Sequence, residues 1–238
     1  MSRRLTFPAL LLLAAFVASC KVSDPFSDDD RVATSIVTVM DTYGQSAIAG
    51  TALPQPIAVQ VLDQLGVPMA NEAVGWTVVN GGGSLKAAAT VTDENGTTTN
   101  QWTLGRILGE QRVQAAIVGG ATDTVMANAI VGAASSFVLV DGDRQRIPTG
   151  TTSAAIRVKV LDRTNNPVPY EKVTWTASSG TLSQNESVTD GYGIASVTIT
   201  AGSGMQTVRA QLQSGATLVF TVTGIDQVAG LTASPPPR

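Results

Sequence analysis

One segment occurs twice in this chain, and the duplication restricts the folds open to it. The first copy runs Ile57-Ala58-Val59-Gln60-Val61-Leu62-Asp63, turns around Gly66-Val67-Pro68 and continues into Val74-Gly75-Trp76-Thr77. The second runs Ile156-Arg157-Val158-Lys159-Val160-Leu161-Asp162, turns around Asn165-Asn166-Pro167 and continues into Val173-Thr174-Trp175-Thr176. Matched residues lie 99 positions apart. That spacing suits one small β-sandwich per copy and is too long for the units of a solenoid. The chain's 238 residues leave room for two such domains, each able to bury its own core.

Apolar and polar residues alternate within each copy, the two-residue period of a half-buried strand. Ile57, Val59 and Val61 share one face, and Ile156, Val158 and Val160 share the matching face. Val74, Trp76 and Val78 are expected to point inward, as are Val173, Trp175 and Ala177, while Trp102 and Leu104 alternate with Gln101 and Thr103. Trp76, Trp102, Trp175, Val61 and Val160 are therefore the expected structural core. Residues 44–51 read as a loop or short edge strand, and Pro54 and Pro56 cannot donate to a ladder. The match continues downstream: Gly83-Ser84-Leu85 with Gly180-Thr181-Leu182, Asn95-Gly96 with Tyr192-Gly193, and Gln111, Val113 and Ala115 with Gln206, Val208 and Ala210. The offset shrinks from 99 to 97 and then 95, so length changes fall in loops while strands persist. Residues 32–131 and 134–224 are thus expected to form tandem all-β sandwiches.

Composition excludes several functions. There is no histidine, which removes the usual general base and the commonest metal ligand, and the single cysteine rules out an internal disulfide. Without a base the common hydrolytic triads cannot be assembled, so no enzyme and no cofactor is expected. Asp63, Asp93, Asp162 and Asp190 all sit where turns favour aspartate. Asp141-Gly142-Asp143 is the best calcium candidate, but it lacks the further carboxylates that six to eight oxygen ligands draw on, and no metal site is expected. Gly81-Gly82-Gly83 is followed by no GxxxxGK and no helix signal, so it reads as a turn and not a phosphate cradle. The formal charge is −3, or −5 once Arg3 and Arg4 are removed with a leader, and an acidic surface disfavours nucleic acid.

A basic start at Arg3 and Arg4 precedes an apolar run through Ala9-Leu10-Leu11-Leu12-Leu13-Ala14-Ala15-Phe16-Val17, the pattern of a secretory signal. It ends in Val17-Ala18-Ser19-Cys20, which resembles the lipobox of bacterial lipoproteins. The resemblance implies cleavage of residues 1–19, lipidation of Cys20, and anchoring in a membrane through the N-terminal lipid. Two or more acyl chains hold such a protein stably, each buried methylene contributing about 0.8 kcal/mol. Lys21, where an Asp would signal inner-membrane retention in enterobacteria-like sorting, implies the outer membrane. Residues 20–31, with Pro25 and Asp28-Asp29-Asp30, read as a flexible acidic linker.

The two copies resemble the bacterial immunoglobulin-like domains of the invasin and intimin group. The residues that carry the resemblance are Gly50-Thr51-Ala52-Leu53-Pro54-Gln55-Pro56, Val61-Leu62-Asp63 with Pro68, Val160-Leu161-Asp162 with Asn166-Pro167-Val168-Pro169, Thr92-Asp93-Glu94-Asn95-Gly96 and Trp102-Thr103-Leu104-Gly105. It implies two tandem immunoglobulin-like Greek-key β-sandwiches that serve as spacer or adhesion modules on a bacterial surface, with a protein or glycan ligand. No segment resembles the terminal lectin-like domain that makes receptor contacts in some relatives. A periplasmic carbohydrate- or peptidoglycan-binding module and an accessory subunit of an envelope complex are the alternative readings, with Tyr43, Tyr170 and Tyr192 as the aromatics available to the former. The tail, residues 225–238, reads either as a Pro-rich terminus or as the opening of a third repeat.

Overall fold

The computed structural model describes residues 31–227; the leader, Cys20, the linker through Asp30 and the tail from Val228 lie outside the described residues. The first half contains β1 (Ala33–Thr38), β2 (Gln45–Ile48), β3 (Ile57–Asp63), β4 (Ala73–Asn80), β5 (Gly83–Leu85), β6 (Ala89–Val91), β7 (Thr97–Asn100), β8 (Trp102–Leu104), β9 (Gly109–Ile117) and β10 (Thr122–Ile130). The second half repeats them as β11 (Ser136–Asp141), β12 (Gln145–Pro148), β13 (Ile156–Leu161), β14 (Lys172–Ala177), β15 (Thr181–Leu182), β16 (Glu186–Val188), β17 (Ile194–Val197), β18 (Ile199–Thr200), β19 (Gly204–Gln211) and β20 (Thr217–Ile225).

Each half is a two-layer sandwich of the immunoglobulin type. In the first, a three-stranded sheet β1-β3-β7 faces a five-stranded sheet β2-β10-β9-β4-β6. In the second, β11-β13-β17 faces β12-β20-β19-β14-β16. The opening strand belongs to both layers. β1 pairs antiparallel with β3, a single 3-10 turn at Met40–Thr42 and Gly44 redirect the chain, and β2 then pairs parallel with β10. Residues 44–51, read from sequence as loop or edge, thus contain the edge strand of the larger sheet.

The inward sets follow from alternation. Val61, Val160 and Trp102 are fully buried, and Trp76 and Trp175 nearly so. The strand expected to carry Trp102 and Leu104 is in fact broken. β7 ends at Asn100, whose side-chain amide donates to Ala87 O at 2.8 Å and accepts from Ala87 N–H at 3.3 Å. That grip pins the chain, which leaves β3 and pairs as β8 with β5 in a separate two-stranded ribbon. Alternation on both sides of Gln101 hides this switch, because the periodicity continues while the partner changes.

The two cores are filled differently. Ile199 pairs with Leu182 as Trp102 pairs with Leu85, so the second sandwich has isoleucine where the first has tryptophan. Phe220 opposes Val208 as Val125 opposes Val113, so the second places its extra aromatic on the last strand. Phe220 lies 6.4 Å from the Trp175 ring, centroid to centroid, tilted by 45°. Large and small residues thus change strands while the core stays filled.

Truncating Trp175 removes the centre of the second core. Trp175→Ala is expected to cost about 3–5 kcal/mol, a large part of the roughly 5–15 kcal/mol available to a domain. Calorimetry of the variant should show the second sandwich melting far earlier or not cooperatively; an unchanged melting curve would remove Trp175 from the core.

Candidate functional site

The four turn aspartates do one job. Asp63 Oδ1 accepts the N–H of Leu65 and Val67, each at 2.8 Å, and Asp93 Oδ1 accepts those of Asn95 and Thr97, each at 2.9 Å. Asp162 Oδ1 takes Thr164 and Asn166, and Asp190 Oδ1 takes Tyr192 and Ile194, at 2.8 and 2.9 Å in both turns. Each carboxylate closes its own turn. The calcium candidates are equally occupied: Asp141 meets Arg157 Nη1 at 3.3 Å, and Asp143 Oδ1 accepts Thr221 N–H at 2.8 Å. Among the described residues no group of three or more acidic or cysteine side chains could hold a metal.

Asp162 also fastens the two sandwiches. Its Oδ2 accepts the N–H of Gly132, in the connection between them, at 2.9 Å, and nearby Asn166 donates its side-chain N–H to Arg106 O at 2.9 Å. Burial raises the Asp162 pKa, but hydrogen bonds from Gly132 N–H, Asn166 N–H and the Thr164 hydroxyl and N–H outweigh it and hold the group below its ordinary 3.8. A cleft of about 850 Å³ lies along this seam, walled by Ile48, Ala49, Gly50, Ala133 and Ala134. Its walls are largely apolar and backbone, and its carboxylate is already occupied, so the cleft is a packing seam.

A second concavity differs in chemistry. Between β16 and β17, on the open flank of the second sandwich, a groove of about 500 Å³ is lined by the polar Arg157, Gln184, Ser187, Asp190 and Ser196 together with Val188 and Ile194. Both walls are sheet edges, since β16 ends the larger sheet and β17 the smaller. Ser187 Oγ accepts the Trp175 indole N–H at 2.8 Å, as Thr90 does for Trp76 at 2.7 Å. Trp76 and Trp175 thus point inward, each anchored to an edge-strand hydroxyl, and offer no face for stacking. The exposed aromatics are tyrosines: Tyr170 is 79% and Tyr192 76% exposed, against 37% for Tyr43. Tyr192 lies on the turn joining β16 to β17, and Tyr170 N–H reaches Thr189 O beside that turn at 3.0 Å.

Tyr170 has φ of 59°, in the left-handed region. Its counterpart Asn71, which makes the same backbone bond to Thr92 O, has φ of 62°. Asparagine visits that region readily and a bulky aromatic does not. The signal was present in the sequence as an Asn-to-Tyr change between copies, but it acquires meaning only with the dihedral angle.

These features define an immunoglobulin-like sandwich with a polar groove on one flank and exposed tyrosines on two of its turns. Residues 137–225, which span most of the second sandwich, match the model of the bacterial Ig-like domain (group 1). Among curated proteins the chain is similar to the inverse autotransporter adhesin YeeJ of Escherichia coli K12, 37% identical over 86 residues that make up 34% of this chain and 4% of that protein. Among solved structures it is similar to the Escherichia coli adhesin FdeC, with 21% identity, 82% of this chain and 66% of that chain covered, and a TM-score of 0.50. It also matches invasin, a bacterial integrin-binding protein, with 21% identity over 82% of this chain and 40% of that one at a TM-score of 0.42.

Restoring the first copy's residue should relieve the strained turn. Tyr170→Asn is expected to stabilise the second sandwich by about 1 kcal/mol, read as a melting temperature a few degrees higher; a lower value would deny the strain. Asp162 governs an acid limb. Its folded pKa lies below the unfolded one, so its contribution is present above about pH 3.8 and fades as pH falls through the folded value. Asp226, also held low by the Ser203 and Thr149 hydroxyls, titrates in the same direction. Asp162→Asn should therefore flatten, without abolishing, the loss of thermal stability between about pH 5 and 2; an acid limb of unchanged steepness would show that the clamp contributes nothing.

Proposed function

We propose that this chain is a non-enzymatic, lipid-anchored envelope protein whose tandem immunoglobulin-like domains form a spacer and adhesion module on the bacterial surface. The observation that carries the reading is the pairing of two such sandwiches with polar groups devoted to holding turns and the seam between domains. The surface proteins it resembles, adhesins among them, support an envelope location and a protein- or glycan-directed role. The match spans only a small part of the curated relative, so that protein's own partners do not transfer as a set. Cys20 after an apolar leader supports attachment by acyl chains, with outer-membrane placement favoured by Lys21. Absence of histidine supports a role without acid–base chemistry.

Protease treatment of intact and lysed cells tests the location. Digestion of both sandwiches on intact cells is the expected result, together with release of Cys20→Ser protein from the membrane fraction. Protection until the envelope is broken would turn the reading to a periplasmic role, and membrane retention of Cys20→Ser would remove the lipid anchor.

A further inference from the structure

The two sandwiches are copies of one scaffold, so the first serves as a control for what the second has acquired. Cross-strand register fixes the equivalences along the flank. Arg157 opposes Ser196 as Ala58 opposes Thr99, and the Asn185 carbonyl accepts Trp175 N–H as that of Ala88 accepts Trp76 N–H. It follows that Arg157 replaces Ala58, Gln184 replaces Ala87, Asn185 replaces Ala88 and Glu186 replaces Ala89. At the turns, Tyr192 N–H bonds Asp190 Oδ1 as Asn95 N–H bonds Asp93 Oδ1, and Tyr170 stands where Asn71 does. Four alanines and two asparagines have become a guanidinium, two amides, a carboxylate and two exposed tyrosines, and of these Arg157 and Gln184 line the groove.

Folding does not require these replacements. The first copy builds the same strands and turns with alanine and asparagine, and Tyr170 is held at a dihedral angle that its counterpart occupies more cheaply. Retained strain at an exposed aromatic, beside a polar groove, is a mark of recognition. The groove's polar atoms also keep spare capacity. Arg157, half exposed, uses Nη1 on Asp141. Gln184 spends one amide N–H on Ser196 O at 3.1 Å, and its side chain lines the groove. Ser187 accepts from Trp175 and retains its own hydroxyl proton for donation.

We infer that this flank groove, with Tyr192 and Tyr170 at its turn end, is a binding site for a neutral oligosaccharide. Its volume of about 500 Å³ lies in the range of small-ligand sites. Donors and acceptors of both charge signs suit hydroxyls, which do both. The tyrosine faces suit the C–H face of a sugar ring, and the phenol adds a hydrogen bond at its rim. A strongly anionic glycan is disfavoured because the Asp190 carboxylate lines the groove and the Arg157 guanidinium there is already paired with Asp141.

The inference rests on reading the chain as a binding module, and it is tested apart from location, because purified protein binds whichever side of the membrane it occupies. The full chain, in a non-glycosidic detergent, is applied to a printed panel of neutral, sialylated and uronic-acid oligosaccharides and, in parallel, to an array of extended peptides. Capture on neutral oligosaccharides is expected, at least tenfold weaker for the combined Arg157→Ala, Gln184→Ala and Tyr192→Asn variant. Tyr170→Asn should bind several-fold more weakly even as its melting temperature rises, a combination that simple loss of fold cannot produce. Should the combined variant melt early, Tyr192→Asn alone, which installs the first copy's residue on an exposed turn, replaces it. No capture on the neutral set, capture confined to acidic glycans or peptides, or undiminished capture by the groove variants each overturns the assignment.

Discussion

In the first sandwich the chain passes from one sheet to the other through a place where no side chain fits. A Cβ on Gly105 would run into the carbonyl oxygen of Gly81, and one on Gly83 into that of Thr103. Beneath this crossing lies the fully buried side chain of Gln111, which accepts Gly105 N–H at 2.7 Å and donates to Ile107 O at 2.7 Å. A side chain on Gly81, at φ of 82°, would overlap it. The glutamine supplies partners to backbone groups that the β8–β9 connection leaves without a ladder, and the glycines admit it. In the second copy Gly180 lies against Gln206 and the Thr200 carbonyl in the same way, while Gly202, the counterpart of Gly105, has room for a Cβ. There the connection is two residues shorter, and Gln206 donates to Gly202 O at 2.7 Å while its own oxygen is buried without a partner.

Much of this architecture can be read in the chain before any coordinate is known, because a sandwich core is written in period two and a duplication writes it twice. Val61 and Val160, or Trp76 and Trp175, announce their faces by alternation alone. What cannot be read is where alternation continues across a change of partner, as at Asn100 and Trp102, or where a polar residue occupies an apolar slot. Gln111 and Gln206 fall in step with Val113 and Val208 but are polar, and only the backbone groups they serve explain their burial. The flank groove was illegible for a related reason. Arg157 and Ser196 meet across a strand pair, Gln184 and Tyr192 come from separate loops, and no local pattern joins them.

The seam between sandwiches shows how little new chemistry a tandem array needs. The carboxylate that closes the Asp162 turn has a second oxygen, and that oxygen takes the connecting backbone at Gly132. A single residue type, placed by the turn it stabilises, therefore joins one domain to the next. This economy leaves most of the surface free to vary. The two copies use that freedom differently, one keeping alanine along its flank and the other gathering polar and aromatic groups there.

The parallel pairing of the second strand with the last carries a consequence for the anchored role proposed above. β2 lies beside β10 in register from Gln45 with Ala127 to Ile48 with Ile130, and β12 lies likewise beside β20. In each sandwich these are strands from opposite ends of the domain's chain, running the same way. Tension applied between those ends draws the two strands past each other along their length. Their hydrogen bonds are then loaded together in shear and must yield as a group; they cannot be peeled apart one at a time. Flow or a retreating partner would meet that collective resistance twice in series, once in each sandwich.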